Sequence, residues 1–414
     1  MPTLPNLTHP SPNDNRRKMS SKRRKTRIVC ISDTHNQTPK LPRGDVLIHA
    51  GDLTNQGSYS ELQKSVRWLE GQGFEAKIVV AGNHDITLDA PFFRQHGESW
   101  KWPGPQDPEA CKRLLTASES ITYLEHTSTT ICLHGAGTEF SVFGSPCTPK
   151  QGNWAFQYTP EEAEGVWSKM AEGVDIVVTH TPPKGHCDGT LAQDTKDQRE
   201  GCPALLERLE QVRPVLSVCG HIHGGRGVET ARWKRPSRDP ATCVDRGSLV
   251  ESVAFWNDPG ASNKKLSIVD LTIRSTSGHG LGCDTSLTRQ RCPNSMRGRL
   301  GGQPDTRCTS PDERSRQPSS GDEKLISTTS LTESALYESE ALRGGGGALE
   351  HGDIGYGSPD EATRLELMAG KDMPRKETTV INAAYLGPRI AGKPRGYNKP
   401  IVVDVELPIW DSSH

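Results

Sequence analysis

No run of apolar residues in this sequence approaches the length of about 20 that a bilayer-spanning helix needs. The basic N-terminal residues are not followed by the apolar stretch of a secretory leader. Both absences argue against a membrane or secreted protein and for a cytoplasmic one. Charge of one sign is also lacking: 50 Lys and Arg face 51 Asp and Glu, so no global field marks nucleic acid or an anionic membrane as the partner. The 11 cysteines include no CxxC pair, and their spacing gives neither a zinc finger nor a disulfide scaffold. Only 32% of the residues are hydrophobic and 5% aromatic, while Gly (41) and Pro (30) are plentiful, so much of the 414-residue chain is not packed core.

What apolar sequence there is lies mainly between Arg27 and Val228, enough for one domain with a sizeable core. The expected organisation is a disordered basic arm over 1–25, the main part of the domain over 26–274, a low-complexity disordered insertion over 275–376, and strands over 377–408 that rejoin the domain in one and the same sheet. The basic run at 16–27 reads first as a solvated tail and second as a nuclear address. The insertion, rich in Ser and Thr, is where protein partners are expected.

Short β-branched runs recur at Ile28–Ile31, Val46–Ile48, Ile78–Val80, Val142–Phe143, Ile176–Val178 and Val215–Val218, each strand-sized and apolar on both faces. Between them, Ser58-x-x-Glu61 before Leu62, Val66 and Leu69 predicts a capped helix. Thr159 to Glu162 before Val166, Trp167 and Met170 predicts another, and Pro203 before Leu205, Leu206, Leu209 and Val212 a third. Strands alternating with helices predict an α/β fold with its sheet covered on both sides.

Polar residues suited to metal binding stand just beyond these strands. Asp33 and His35 follow the first, Asp52 the second, Asn83 and His84 the third, His180 the run at 176–178, and His221 with His223 the run at 215–218. Open α/β sheets bind ligands at that edge, so these distant segments can converge on one cleft. Two divalent cations about 3.5 to 4 Å apart need a bridging carboxylate, with imidazole and amide donors to complete each shell. Asp52 is the natural bridge; Asp33, His35 and His223 would complete one site, and Asn83, His180 and His221 the other. The spacing His221-x-His223 suits an extended strand end, where side chains two apart point the same way. Gly51, Gly82 and Gly220 precede ligands where the chain must turn sharply and pass close to the ions. A single Asp or His at a strand end is ordinarily a turn residue; the ordered set carries the metal reading.

The strings Asp33-Thr34-His35, Gly51-Asp52, Gly82-Asn83-His84-Asp85, Thr179-His180 and Gly220-His221-Ile222-His223 resemble the signature of the calcineurin-like metallophosphoesterase superfamily. Longer strings such as LIHAGDLTNQG and VCGHIHGGRGVE resemble its metallophosphoesterase-domain-containing branch, known from animals and fungi. The resemblance covers residues 27–229 and resumes at 379–407. It implies a four-layer α/β/β/α sandwich, the two-cation assignment above, and a His84 that acts on the phosphate or protonates the leaving oxygen. It implies an Asp85 that orients His84, where several relatives have Glu. Two Mn or Fe ions are expected from the O/N donor set, with Zn as the competitor. The expected activity is hydrolysis of small phosphodiesters such as cyclic nucleotides, with no nucleic-acid polymer as substrate. The rival readings are a phosphomonoesterase or protein phosphatase using the same site, and a regulatory scaffold with a vestigial one. His49 reads as a core or supporting histidine, and His134 and His186 stay outside the site. Trp154, Phe156 and Tyr158 are expected to pack, with base stacking as the weaker alternative.

Overall fold

The computed structural model describes residues 22–189, 199–234, 250–260, 263–272 and 375–410. The arm up to residue 21 and the insertion over 275–374 lie outside them. Elements run in the order β1 (Arg23–Ile31), β2 (Val46–Ala50), α1 (Tyr59–Glu70), β3 (Ala76–Val80), α2 (Ala90–His96), α3 (Pro108–Thr116), β4 (Thr122–Tyr123), β5 (Thr127–Leu133) and β6 (Thr138–Ser145). There follow β7 (Thr148–Pro149), β8 (Gln157–Tyr158), α4 (Ala163–Ser168), β9 (Ile176–Thr179), α5 (Pro203–Val212) and β10 (Leu216–Cys219). The last are β11 (Gly227–Trp233), β12 (Val250–Phe255), β13 (Ser267–Asp270), β14 (Glu377–Asn382) and β15 (Ile401–Pro408). No described helix is long and apolar enough to cross a membrane.

The strands form a six-stranded sheet ordered β13-β15-β1-β2-β3-β4, a seven-stranded sheet ordered β12-β11-β14-β10-β9-β6-β5, and the small pair β7-β8. Side chains alternate across each strand, and the alternation sorts them into layers. Ile28 and Cys30, Val46 and Ile48, and Ile78 and Val80 face Val142, Ile176, Val178, Leu216 and Val218 in a core between the sheets. The intervening Val29, Ile31, Leu47 and Val79 face Leu62, Val66 and Leu69 of α1 and Cys111 and Leu115 of α3. On the far side, Phe143 and Val177 pack on Trp167 of α4 and Leu205 and Leu209 of α5. The architecture is therefore the four-layer α/β/β/α sandwich. Helix α1 begins with the capping box that Ser58 and Glu61 foretold.

Three features differ from the sequence reading. β1 starts at Arg23 rather than Arg27, because β15 pairs with it antiparallel from Arg23↔Pro408 onward. There the buried Asp404 accepts from Arg27 Nε at 2.7 Å and lies 2.8 Å from Lys25 Nζ. β5 and β12 had no recognised pattern; both are edge strands, mostly open to solvent, and so lack a two-faced apolar code. Finally, the last two strands enter different sheets: β14 lies between β10 and β11, and β15 between β13 and β1.

Candidate metal centre

The carboxyl end of β1 is tied through its backbone to that of β2, and the end of β9 to that of β10. Asp33 N donates to Gly51 O at 2.9 Å, His35 N to Asp52 O at 3.1 Å, and Gly220 N to His180 O at 3.0 Å. Tyr385 N, just past β14, donates to Ser32 O at 2.8 Å. Such stitching holds loops in conformations they would not choose alone. Asp33, His35, Asp52 and His221 all have positive φ, at 52°, 42°, 53° and 64°. Non-glycine residues seldom occupy that region, and their clustering marks a place where strain is held for a purpose.

The predicted donors meet there. Ligand atoms of Asp33, His35 and His223 lie within 4.8 Å of one another, as do those of Asp33, Asp52 and His180 and those of His35, Asp52 and His84. Three imidazoles share one arrangement. Nδ1 of His35 lies 3.1 Å from Thr54 O, that of His180 2.8 Å from Ala50 O, and that of His223 3.4 Å from Gly387 O. Their Nε2 atoms turn inward: His35 to 3.5 Å from Asp52 Oδ2, His180 to 3.3 Å from Asp52 Oδ1, His223 to 3.1 Å from Asp33 Oδ1. An Nδ1–H held by a carbonyl fixes the tautomer that offers Nε2 to a cation. His35 Nε2 is buried without a hydrogen-bond partner, a costly state that a bound cation would relieve.

Asn83 Oδ1 lies 3.1 Å from His180 Nε2, and the His221 ring stands 5.0 Å from that of His180. The two halves of the predicted donor set therefore separate as His35 and His223 on one side and Asn83, His180 and His221 on the other, with the two oxygens of Asp52 divided between them. His221 and His223 do not alternate along an extended strand. His221 is left-handed and His223 opens a short 3-10 turn, so residues two apart reach opposite sides of the centre.

Electrostatics suits cations. Burial alone would raise the Asp33 carboxyl; the charge and hydrogen bond of His223 overcome it and hold the group below the usual carboxylate range. Burial opposes the Asp52 anion too, yet His180, with His84 and His35, keeps it well below that range. Burial pushes His35 and His221 down to about 4. At neutral pH the carboxylates are ionised and those two imidazoles are neutral, the forms that ligate metal. His180 is the exception: burial would lower it, but Asp52 lifts it to about 9, so a cation there would displace a proton.

Asp85 requires a correction. Its carboxylate has no hydrogen bond to His84; buried, it accepts from Leu53 N, Thr54 N, Thr54 Oγ1 and Gly82 N at 2.7 to 3.1 Å. Neighbouring side chains in this tight turn point apart, and Asp85 binds the loop after β2 to the loop after β3. His84 is placed instead by Asn55 O, 2.8 Å from its Nδ1, and by Asp52 Oδ1, which accepts from its backbone N at 2.9 Å. The His84 ring lies 4.7 Å from His35 and 4.0 Å from Trp154, which in turn lies 4.8 Å from Trp100. Phe156 and Tyr158 pack into the cores, as expected, whereas Trp154 lines the centre.

His49 is fully buried with Nε2 2.9 Å from Thr34 Oγ1, a supporting place. His186 is held by Glu229 at 3.1 Å, and His134 stacks edge-on to Trp410. Sequence reasoning missed Asn382, whose buried amide donates to the carbonyls of Cys187, Gly220 and Ile222 and so braces the loop bearing His221. A polar residue closing an apolar strand was its only signal.

Two glycines are required by space alone. A Cβ on Gly220 would lie 2.0 Å from Ser32 Oγ and 2.3 Å from Asp33 Oδ2, and one on Gly82 2.3 Å from Asp52 Oδ1 and 2.4 Å from Asp52 N. Backbone at Asp52 must yield to any side chain at 82. Gly82→Ala is expected to cost about 3 kcal/mol, the upper range for overpacking, and to weaken metal retention. A melting temperature lowered by roughly 6 to 12 °C would show it; an unchanged one would mean that the loops are not tightly fitted.

Comparison with known proteins agrees with this geometry. The family model described as "Calcineurin-like phosphoesterase" matches residues 26–225. UPF0046 protein C25E10.12 of Caenorhabditis elegans is 31% identical over 211 residues, covering 50% of this chain and 72% of that one. The chain belongs to the calcineurin-like phosphoesterase family. Human metallophosphoesterase domain-containing protein 1 is 39% identical over 214 residues, 49% of this chain and 62% of the human one. A protein of Emericella nidulans named "Probable rhamnogalacturonate lyase C" is 44% identical over 234 residues, 56% of this chain but 20% of its own length. The match thus spans less than two thirds of the latter two relatives. All the donors described here fall inside the segment that the family model matches.

Proposed function

We propose that this family member is a dinuclear metal-dependent phosphoesterase acting on small phosphodiesters such as cyclic nucleotides. The observation that carries the reading is the shared pose of His35 and His180, each with Nδ1 on a carbonyl and Nε2 aimed at Asp52, beside a His223 whose Nε2 is aimed at Asp33. Asp33, His35 and His223 would hold one cation, Asn83, His180 and His221 the other, and Asp52 both. Mn²⁺ or Fe suits these O and N donors, with Zn²⁺ as competitor. Bound cations supply Lewis acidity and a water activated near neutral pH.

The chain's own residues do the rest. His84, fixed through Nδ1 by Asn55 O, keeps Nε2 to hold a proton for the departing oxygen. Trp154, against one face of His84, limits its rotation and keeps bulk water from that side. Asp85 keeps the two loops that carry Asp52 and Asn83 in register. We further propose a cytoplasmic location, with the basic run at 16–27 as a second, nuclear address. The scaffold alternative rests on the insertion, which lies outside the described residues.

A panel of bis-aryl diester, cyclic nucleotide, aryl monoester and phosphopeptide, assayed with added Mn²⁺, tests the substrate class. Diester turnover is expected to exceed monoester and phosphopeptide turnover by at least about tenfold, a barrier difference of roughly 1.4 kcal/mol. The reverse order would make the chain a monoesterase or protein phosphatase. Fewer than one bound ion per chain together with no hydrolysis would favour the scaffold.

A further inference from the structure

Between β14 and β15, residues 385–398 form a hairpin with a paired stem. Gly387 N donates to Gly396 O at 2.9 Å and Asn398 N to Tyr385 O at 2.7 Å, and the rings of Tyr385 and Tyr397 stand 5.4 Å apart. The base of the hairpin is bonded to the loop that carries Asp33, through Tyr385 N to Ser32 O at 2.8 Å and Leu386 N to Asp33 O at 3.3 Å. Whatever the stem carries is thereby fixed with respect to the metal centre.

It carries Arg395. The side chain is part-buried; Nε donates to Gly387 O at 2.8 Å, and Nη2 reaches His223 Nδ1. Burial and the charge of Arg389 act against this cation, while Asp33 and Asp52 are near enough to favour it. No carboxylate among the described residues forms an ion pair with it. A guanidinium next to a metal centre, held by one carbonyl and one imidazole, is a cation kept without an anion.

The imidazole contact is the replaceable one. When His223 offers Nε2 to a cation, its hydrogen sits on Nδ1, where Gly387 O at 3.4 Å can accept it. Guanidinium has N–H donors and no acceptor, so it then has nothing to bond at that nitrogen. The bond from Nε to Gly387 O keeps it beside the centre, leaving the terminal nitrogens for an oxyanion, whose geometry matches their fork.

We propose that Arg395 is a specificity-determining residue that holds the non-bridging oxygens of a phosphate at the metal centre and favours doubly charged phosphate over the singly charged diester. The inference rests on the phosphoesterase reading and deepens it. A fixed positive charge attracts a dianion more than a monoanion, so Arg395 would grip inorganic phosphate and monoesters, the products of diester hydrolysis, harder than diesters.

The test uses the full Mn²⁺-loaded chain as wild type, Arg395→Ala and Arg395→Lys, with metal content and melting temperature measured on each. Inorganic phosphate is the probe, titrated by calorimetry. Arg395→Ala is expected to bind phosphate at least about tenfold more weakly, as befits a lost charge-assisted pair, with Arg395→Lys in between. KM for an aryl monoester should rise more than KM for the diester. Phosphate affinity within about twofold of wild type in both variants would overturn the inference, and so would a wild type that binds no phosphate. If no protein turns over any ester while Arg395→Ala still loses phosphate, the inference stands and the hydrolase reading falls. Brisk diester turnover with unaltered phosphate affinity does the reverse: the hydrolase reading stands and Arg395 loses its role.

Discussion

Asp52→Asn is expected to retain at most one of about two Mn²⁺ ions and to lower phosphodiester turnover at least about a thousandfold, roughly 4 kcal/mol of barrier. The reason is geometric. Asp52 Oδ1 lies 3.3 Å from His180 Nε2 and Oδ2 3.5 Å from His35 Nε2, so one carboxylate serves both halves of the centre. Asparagine keeps the shape, removes the charge and turns one oxygen into a donor that repels a cation. The backbone should survive, since Asp52 O accepts from His35 N at 3.1 Å whatever the side chain's charge. Metal analysis, circular dichroism and kcat on the same preparation would check it. Folded protein with full metal content and wild-type turnover would end the two-cation proposal.

His84→Ala should behave differently: metal content near wild type, with kcat on a cyclic nucleotide lower by about a hundredfold to a thousandfold, the usual worth of a positioned proton donor. His84 ligand atoms lie close to those of His35 and Asp52, yet its Nδ1 is on Asn55 O and its ring stacks on Trp154. That geometry fits a proton carrier better than a permanent ligand. The loss should depend on the leaving group. A nitrophenolate leaves without help, so its diester should lose about tenfold, whereas an alkoxide from a cyclic nucleotide should lose far more. Equal losses on both, or a parallel loss of metal, would make His84 a ligand instead.

The order of the donors was legible because each follows an apolar run short enough to be only a strand, and parallel strands deliver their loops to one edge. Glycine at 82 and 220 was readable for the same reason, as a need for room. What failed was direction within a turn. Adjacency in sequence suggested that Asp85 touches His84, but side chains one apart in a tight turn diverge, and Asp85 bonds Leu53, Thr54 and Gly82. Spacing of two suggested that His221 and His223 point alike, but a left-handed residue between strand and 3-10 turn sends them apart. Edge strands β5 and β12 were missed since little of them is buried, only Ile131 and Leu133 in β5 and no residue in β12, so neither carries an apolar pattern. Arg395 had no signal at all: its place depends on a hairpin stitched to Ser32 and Asp33 across more than 350 positions of chain.

The strand order has a consequence for synthesis. Every donor to the centre has been made once His223 is added, but the sandwich then still lacks β11 to β15, and among them β14 and β15, the neighbours of β10 and β1. Until residues 377–408 arrive, β1 and β10 each expose an unpaired flank, and the loops they end in have no Ala383 or Tyr385 to bind. A chain lacking residues 377–408 would hold every donor without the strands that flank β1 and β10, so the centre is expected to take its shape only once that stretch is in place.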